Sequence, residues 1–224
     1  MKPGAQELAV PLIGAWVIHL EEVASTNDVV LQMAEEGAPE GLVVTAERQS
    51  RGRGKWGRRW ESPAGGLWMS ILLRPSASTS CGPVFSLMGA VASAEAIRKA
   101  SGLKARVRWP NDLFLRGRKV GGVLNEMRAS QRRIRYLVMG IGINVNQEKD
   151  DFSLPLRGLA TSLRLESGRI WDRQVLAEAL YDRVDFWYRI LQGKDGNPFF
   201  LRLGQLAEGP EAEWRSLREE MGMA

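Results

Sequence analysis

A series of short strand-like segments joined by tight turns, between residues 105 and 145, constrains the fold most strongly. Turn-forming residues, among them Pro110-Asn111 and Gly117, separate apolar stretches that are each too short for a helix. Strands joined by such short connections pair antiparallel, so the centre of the chain is predicted to be a β-meander. The predicted strands are 105–109, 112–115, 119–127 and 134–145, with a hairpin over 128–133.

The flanking sequence alternates between strand and helix patterns. The central meander and these flanking patterns together predict one α/β (α+β) domain with a mixed or antiparallel central sheet flanked by helices. The predicted domain covers 1–224, with a core over about 14–195 and a helical C-terminal segment over 196–224. Predicted strands are 15–20, 42–47 and 67–73, and predicted helices are 25–36, 83–101, 172–193, 198–206 and 210–221.

Composition narrows the classes of function. The chain has 224 residues with 44% hydrophobic content, enough for one sizeable core, and a net charge of +5 that suits an anionic partner. Cys81 and His19 are the only residues of their types, which excludes an intramolecular disulfide and disfavours a histidine-based triad or metal cluster. Without a signal-like N-terminus or a membrane-length apolar run, the sequence predicts a cytoplasmic protein with no membrane partner.

Residues 51–60, RGRGKWGRRW, hold five cations, three glycines and two tryptophans between two predicted strands. Glycine lets a backbone approach a ligand closely, while guanidinium and ammonium groups bind phosphate or carboxylate oxygens. A basic surface loop or a nucleic-acid patch explains the composition equally well. A connection of about 19 residues in a compact domain is usually functional or disordered.

Ser25-Thr26-Asn27 begins the first predicted helix after a strand. These residue types are favoured as helix caps, and they also line pockets at strand-to-helix turns. The sequence leaves both interpretations open.

The central hairpin carries a second group of unusual positions. Gly121-Gly122 within a strand indicates a backbone that another segment or a ligand approaches closely. Lys119 lies just upstream, and Asp112 on the preceding strand is placed to pair with it across the ladder. Over 140–146, GIGINVN, alternating glycines leave one strand face without side chains.

Several of these motifs, in this order, resemble biotin protein ligase, also called biotin-[acetyl-CoA carboxylase] ligase. The resemblance covers about residues 14–170 and is most specific at Trp-Pro-Asn-Asp followed by Arg-Lys-x-Gly-Gly. The matching stretches are 25–27 (STN), Gln49 with 52–60 (GRGKWGRRW), 108–112 (RWPND), 118–126 (RKVGGVLNE), 140–146 and 160–163 (ATSL).

The resemblance implies a two-step acyl transfer of the monofunctional type. Biotin is activated with ATP and Mg²⁺ to biotinyl-5'-AMP, and a lysine of a biotin carboxyl carrier protein domain then takes the biotinyl group. Neither step needs an enzyme nucleophile, and the expected chemistry is electrostatic stabilisation and positioning.

The resemblance also assigns roles to individual residues. Lys119, Arg53 and Asp112 are the expected catalytic residues, with Asp112 as the candidate Mg²⁺ ligand. Expected biotin-binding residues are Ser25, Thr26, Asn27, Gln49, Gly52, Arg53, Lys119, Gly121 and Gly122; expected nucleotide-binding residues are Arg53, Gly54, Lys55, Arg58, Trp60, Asn111 and Asn144.

The sequence departs from the family pattern at three places. Lys55 stands where some members have arginine, which keeps the charge without the bidentate fork. About 14 residues precede the first strand, so no winged helix and no DNA partner are expected. The C-terminal segment shows no run of short strands, so the small β-barrel of many members is expected to be absent, which bears on ATP binding and carrier docking; homodimers occur in the family.

Two further functions compete with this one. A lipoate or octanoate ligase or transferase shares the catalytic fold, but its unbranched acyl substrate has no use for the Ser-Thr-Asn set. A non-catalytic protein that binds biotin or biotinyl-adenylate belongs to a different class.

Overall fold

The structure, a computed structural model, describes residues 11–193, 195–209 and 217. One eight-stranded sheet runs through it in the order β1-β2-β3-β7-β6-β5-β4-β8. The pairs β1–β2 and β4–β8 are parallel and the others antiparallel, which confirms the predicted mixed sheet. The strands are β1 Val17–Val23, β2 Val43–Gln49, β3 Leu67–Leu73, β4 Arg106–Arg108, β5 Asp112–Leu115, β6 Arg118–Ser130, β7 Arg133–Ile143 and β8 Ala207–Glu208.

Helices cover both faces of the sheet. Apolar side chains of β3 alternate between two buried clusters, so that Met69 and Ile71 lie in one and Leu72 in the other. The larger cluster joins the sheet to α2, α4 and α5, and the smaller one joins it to α1. The helices are α1 Thr26–Glu35, α2 Gly82–Ser101, α3 Leu163–Ser167, α4 Arg173–Gln192 and α5 Asn197–Leu206.

Helix α2 is the central helix of the larger core. A Cβ on Gly89 would lie 2.8 Å from Met139 Sδ, so the glycine permits close packing on the sheet. The helical stretch 79–101 is long and apolar enough to cross a membrane, but 83% of its most apolar window is buried inside the fold. Its apolar character is therefore explained by packing. Cys81, which immediately precedes the first residue of α2, is a free and buried thiol.

Several boundaries differ from the sequence prediction. β1 begins at Val17 and extends to Val23, beyond the predicted 15–20. The turn between β6 and β7 is confined to Gln131 and Arg132, which both adopt positive φ. The segment from 196 onward is not wholly helical, since Ala207–Glu208 adds an edge strand beside β4. The helix predicted over 210–221 lies outside the described residues except for Leu217.

Candidate active site

A cavity of about 500 Å³ lies on the face of the sheet above β3, β6 and β7. Glycines form its floor: Gly122 of β6 pairs directly with Gly142 of β7, and Gly140 follows on the same face. A Cβ on Gly140 would lie 2.3 Å from Asn27 Oδ1, and one on Gly142 would lie 2.9 Å from Trp60 Nε1. The bare strand face that the sequence predicts is therefore present, and it makes room for these two side chains.

One end of the cavity is rich in neutral hydrogen-bonding side chains, and the ion-paired Arg53 lies beside them. Gln49 Oε1 accepts from the Thr26 backbone N–H and Oγ1 at 2.9 and 3.2 Å, and Gln49 Nε2 donates to Ser62 Oγ at 2.9 Å. Ser70 Oγ lies 2.7 Å from Thr26 Oγ1 and 2.5 Å from Asn27 Oδ1. These contacts fix the rotamers of the side chains that face the cavity.

Ser25 occupies the N-cap position of α1, but its side chain makes no capping hydrogen bond. It is buried and lines the cavity. Of the two interpretations that the sequence left open, the geometry favours the pocket-lining one.

The opposite end is cationic. Lys119 Nζ lies 2.7 Å from Asp112 Oδ1, the pairing that the sequence predicts, and 5.3 Å from the centre of the Trp60 ring. Lys119 and Gly122 are three residues apart, a spacing that puts side chains on opposite faces of a regular strand. A shift in the β5–β6 register between Leu113 and Phe114 restores a common face and sends Val120 into the core.

Lys55 is a second cation at this end, carried on the 51–60 loop. Burial lowers the pKa of its ammonium, while the negative charge of Asp112 acts in the opposite direction. No described carboxylate lies within ion-pair distance of Lys55. Its ammonium is thus partly desolvated and has no direct ion pair among the described residues, which favours binding of an anion.

Arg53 lines the cavity, but its guanidinium is already paired. It donates to both oxygens of Asp28, at 3.0 and 2.6 Å, and to Glu126 Oε2 at 2.7 Å. The hydrogen bond to Asp28 is the main cause that raises the pKa of Arg53. The positive charge expected to face a phosphate is therefore compensated by two carboxylates.

Gly52 and Gly121 are not among the residues that line the cavity, and their expected contact with the ligand stays a prediction. A Cβ on Gly52 would lie 2.5 Å from both Ser62 Oγ and Trp60 O, and one on Gly121 would lie 2.6 Å from Gly142 O. Close approach is present at both positions, as predicted for the Gly121-Gly122 pair, but it comes from neighbouring backbone and side chains.

Asn111 and Asn144 line the cavity and are both buried. Their amide groups donate to main-chain carbonyls, Asn111 to Val123 at 2.6 Å and Asn144 to Thr161 at 3.0 Å. Trp60 packs edge-on against Trp68, and in the described part of the chain its buried indole N–H has no hydrogen-bond partner. Gly54 and Arg58 border the cavity on the loop, joined by a 2.7 Å backbone hydrogen bond.

Sequence reasoning missed the wall formed by residues 149–161. The segment is joined to β6 by two backbone hydrogen bonds, Lys119 N to Leu159 O and Thr161 N to Lys119 O, each 2.8 Å. It contributes apolar side chains that no periodic pattern marks, because the segment is neither helix nor strand throughout. Those lining the cavity are Phe152, Leu156, Leu159 and Ala160.

Asp112 and Glu61 are the carboxylates among the residues that line the cavity, and Asp112 is held by Lys119. Within the described ranges no three His, Cys, Asp or Glu side chains are grouped in a way that would hold a metal ion. This donor set does not fit a resident metal centre, and a divalent cation would have to arrive with its own ligand.

The sheet topology, the bare glycine floor and the paired lysine define a class of protein. The sequence pattern of the Biotin/lipoate A/B protein ligase family matches residues 20–144, more than half of the chain. The chain belongs to this family.

Similarity to characterised proteins points to the biotin branch. The chain is 36% identical over 171 residues to the biotin-[acetyl-CoA-carboxylase] ligase of Paracoccus denitrificans, covering 75% of this chain and 71% of that protein. It is 41% identical over 167 residues to the bifunctional ligase/repressor BirA of Bacillus spizizenii, covering 74% and 51% respectively. The chain therefore spans about half the length of that relative.

A solved structure resembles the fold over most of its length. The biotin protein ligase of Aquifex aeolicus, in complex with biotin and ATP, superposes with a TM-score of 0.75 at 30% identity. The superposition covers 86% of this chain and 78% of that one.

Proposed function

We propose that the chain is an ATP-dependent biotin protein ligase that makes biotinyl-5'-AMP and transfers the biotinyl group to a carrier-protein lysine. The observation that carries the proposal is the polarity of the cavity, with a neutral hydrogen-bonding end and, at the other end, Lys119 held by Asp112 at 2.7 Å. Biotin has the matching polarity, because its ureido head is neutral and its chain ends in a carboxylate.

In the first step a carboxylate oxygen of biotin attacks the α-phosphorus of ATP. The bond from that phosphorus to the bridging oxygen breaks, and pyrophosphate leaves. Lys119 holds the attacking carboxylate and the α-phosphate together, since a cation relieves the repulsion between two anions and stabilises the charge of the transition state.

In the second step the amine of the carrier lysine attacks the acyl carbon of biotinyl-5'-AMP. The bond from the acyl carbon to the phosphate oxygen breaks, AMP leaves, and the nitrogen loses a proton as the amide forms. A nucleophile from this chain is required in neither step.

The cavity residues divide between the two substrates. Ser25, Thr26, Asn27 and Gln49 bind the ureido head, while Lys55 and Lys119 share the phosphate and carboxylate charge. The wall at 149–161, with Asn111, Asn144 and Trp60, accommodates the nucleotide. Mg²⁺ enters as part of MgATP, and Asp112 orients Lys119 in preference to serving as a metal ligand.

We place the reaction in the cytoplasm, where ATP is abundant and a thiol such as Cys81 stays reduced. The protein partner is a biotin carboxyl carrier domain that presents one lysine to the mouth of the cavity.

Mass spectrometry of the small-molecule products tests the proposal. Incubation of the chain with MgATP and biotin should give biotinyl-5'-AMP and pyrophosphate, and lipoate in place of biotin should give little or no adenylate. A lipoyl-adenylate would favour a lipoate ligase, whereas bound biotin without any adenylate would favour a binding protein.

A further inference from the structure

A continuous set of polar contacts links the neutral end of the cavity to the 51–60 loop at both ends of that loop. Glu126 Oε2 accepts from Arg53 Nη2 at 2.7 Å and from Asn27 Nδ2 at 2.6 Å. From Asn27 the contacts continue through Ser70 to Thr26, as described above. Gln49 and Ser62 complete the path, since Ser62 Oγ lies 3.3 Å from the carbonyl oxygen of Trp60.

The two carboxylates that hold Arg53 stand behind the cavity wall. Asp28 and Glu126 are not among the described residues that line the cavity, whereas Arg53 and Asn27 are. Asp28 lies on α1 and Glu126 on β6, so two separate elements grip one side chain of the loop. A ligand in the cavity would contact Arg53 and Asn27, which these carboxylates hold. It would not contact Asp28 or Glu126 themselves.

We propose that Asp28 and Glu126 are positioning residues that latch the 51–60 loop through Arg53 and couple loop closure to binding at the head-group end. This inference rests on the proposed function only for the identity of the ligand. Arg53 then acts as the loop's anchor, and the phosphate-facing charge of the loop is that of Lys55.

The coupling follows from the shared acceptor. Asn27 and Arg53 donate to the same oxygen of Glu126, so a ligand that fixes the Asn27 side chain also fixes the acceptor that Arg53 requires. A bidentate guanidinium–carboxylate pair adds directional constraint to this arrangement. Conversely, an open loop leaves Glu126 without its cation and Asn27 less constrained.

Loss of the latch is expected to change the rate of loop opening more than the free energy of unfolding of the whole domain. The side chain of Asp28 is 50% exposed and that of Arg53 29% exposed, and exposed ion pairs contribute little to the free energy of unfolding. The latch closes a local segment, and local opening proceeds with a much smaller free energy than global unfolding.

Trypsin provides a direct measure of loop opening, because the loop contains five arginine and lysine residues. The variants are Asp28→Asn, Glu126→Gln and the double variant, with Asp28→Glu as the conservative rescue. Glu21→Gln is the matched control, since Glu21 is exposed and its side chain makes no hydrogen bond or ion pair with a described residue. Circular dichroism establishes that each variant is folded.

Without ligand, the loop of Asp28→Asn and of Glu126→Gln should be cleaved roughly fivefold faster than that of the wild type, the factor for a pair worth about 1 kcal/mol. Asp28→Glu and Glu21→Gln should match the wild type, and 1 M salt should narrow the difference. Cleavage unchanged in both charge-removing variants would overturn the latch, whether or not the wild type makes an adenylate.

Stopped-flow measurement of biotin release then tests the coupling. The dissociation rate should rise in Asp28→Asn by a factor of about five, although Asp28 does not line the cavity. KM for biotin should rise with it, while single-turnover adenylation at saturating biotin changes by less than about threefold. Fast cleavage with an unchanged release rate would overturn the coupling, and a wild type that binds no biotin would instead overturn the proposed function.

Discussion

At the scale of single residues, the position of Lys119 is set by the backbone and by one ion pair. The β-bulge turns its side chain toward the glycine floor, and Asp112 holds the ammonium at 2.7 Å. Lys119→Ala should reduce the rate of adenylation by about 10²–10³-fold, as for removal of a preorganised charge from a transition state. Single-turnover quench flow measures the rate.

Lys104→Ala is the control for this substitution, because Lys104 is exposed and is not among the residues that line the cavity. The control should keep wild-type activity, and both variants should keep the wild-type circular dichroism spectrum. Full activity in Lys119→Ala would show that the principal catalytic residue is misassigned.

The lowered pKa of Lys55 predicts that nucleotide binding depends on pH. Burial lowers the pKa of its ammonium, so the group loses its proton at a lower pH than an exposed lysine does. Below that pKa the protonated form binds phosphate, and above it the attraction is lost. KM for ATP should therefore rise as the solution becomes alkaline, before ordinary lysines titrate.

Lys55→Arg should remove this rise, since a guanidinium stays charged throughout the alkaline range. Steady-state KM for ATP, measured at several pH values at constant ionic strength, tests the prediction, with Lys104→Arg as control. A profile that is identical in wild type and Lys55→Arg would contradict the assignment of Lys55 to the phosphates.

At the scale of elements, the glycine floor of β7 gives space to Asn27. A Cβ on Gly140 would lie 2.3 Å from Asn27 Oδ1, so Gly140→Ala must displace that side chain and its bond to Glu126. We expect a loss of about 1–3 kcal/mol in stability from overpacking, together with weaker biotin binding. Calorimetry measures both quantities.

Gly158→Ala is the matched control, because nothing lies within 4 Å of its added Cβ. It should leave biotin affinity unchanged. Biotin affinity equal to the wild type in Gly140→Ala would show that Asn27 does not contribute to the head-group site.

A buried carboxylate of α3 holds the wall at 149–161, which we assign to the nucleotide. Glu166 has a side-chain exposure of 2% and accepts hydrogen bonds from Thr161 Oγ1 at 2.6 Å and Arg118 Nη2 at 2.7 Å. Glu166→Gln weakens this attachment by about 1–3 kcal/mol. KM for ATP should rise more than KM for biotin if the wall at 149–161 accommodates the nucleotide, as we propose.

Steady-state kinetics with each substrate varied in turn checks this prediction. Glu178→Gln, on the exposed face of α4, is the control and should change neither KM. Equal increases in both KM values would indicate a general loss of packing with no specific effect on the wall.

At the scale of the whole molecule, local patterns predict the elements better than they predict contacts between them. The meander, α2 and α4 follow from periodicity and turn residues, and the opposition of Lys119 and Asp112 follows from the hairpin. The glycine floor also follows, since a strand with alternating glycines has one bare face whatever packs on it.

The remaining features depend on contacts between distant parts of the chain. Arg53 meets carboxylates 25 and 73 residues away, so its sequence neighbourhood does not distinguish a phosphate ligand from an ion-pair partner. The orientation of Gly121 depends on the bulge at Val120, which no pattern of apolar residues marks. Ser70 had a detectable signal as a polar residue inside an apolar strand, and its partner Asn27 became evident only from the fold.

The central claim is that the cavity activates biotin as an adenylate and passes the acyl group to an amine. Biotin labelled with ¹⁸O in both carboxylate oxygens, incubated with the chain, MgATP and a biotin carrier domain, tests both steps by mass spectrometry of the nucleotide. We expect AMP that contains one ¹⁸O for each biotinyl group transferred, because the oxygen that bridges the acyl carbon and the phosphorus leaves with the phosphate. Unlabelled AMP, or ADP as the nucleotide product, would contradict it.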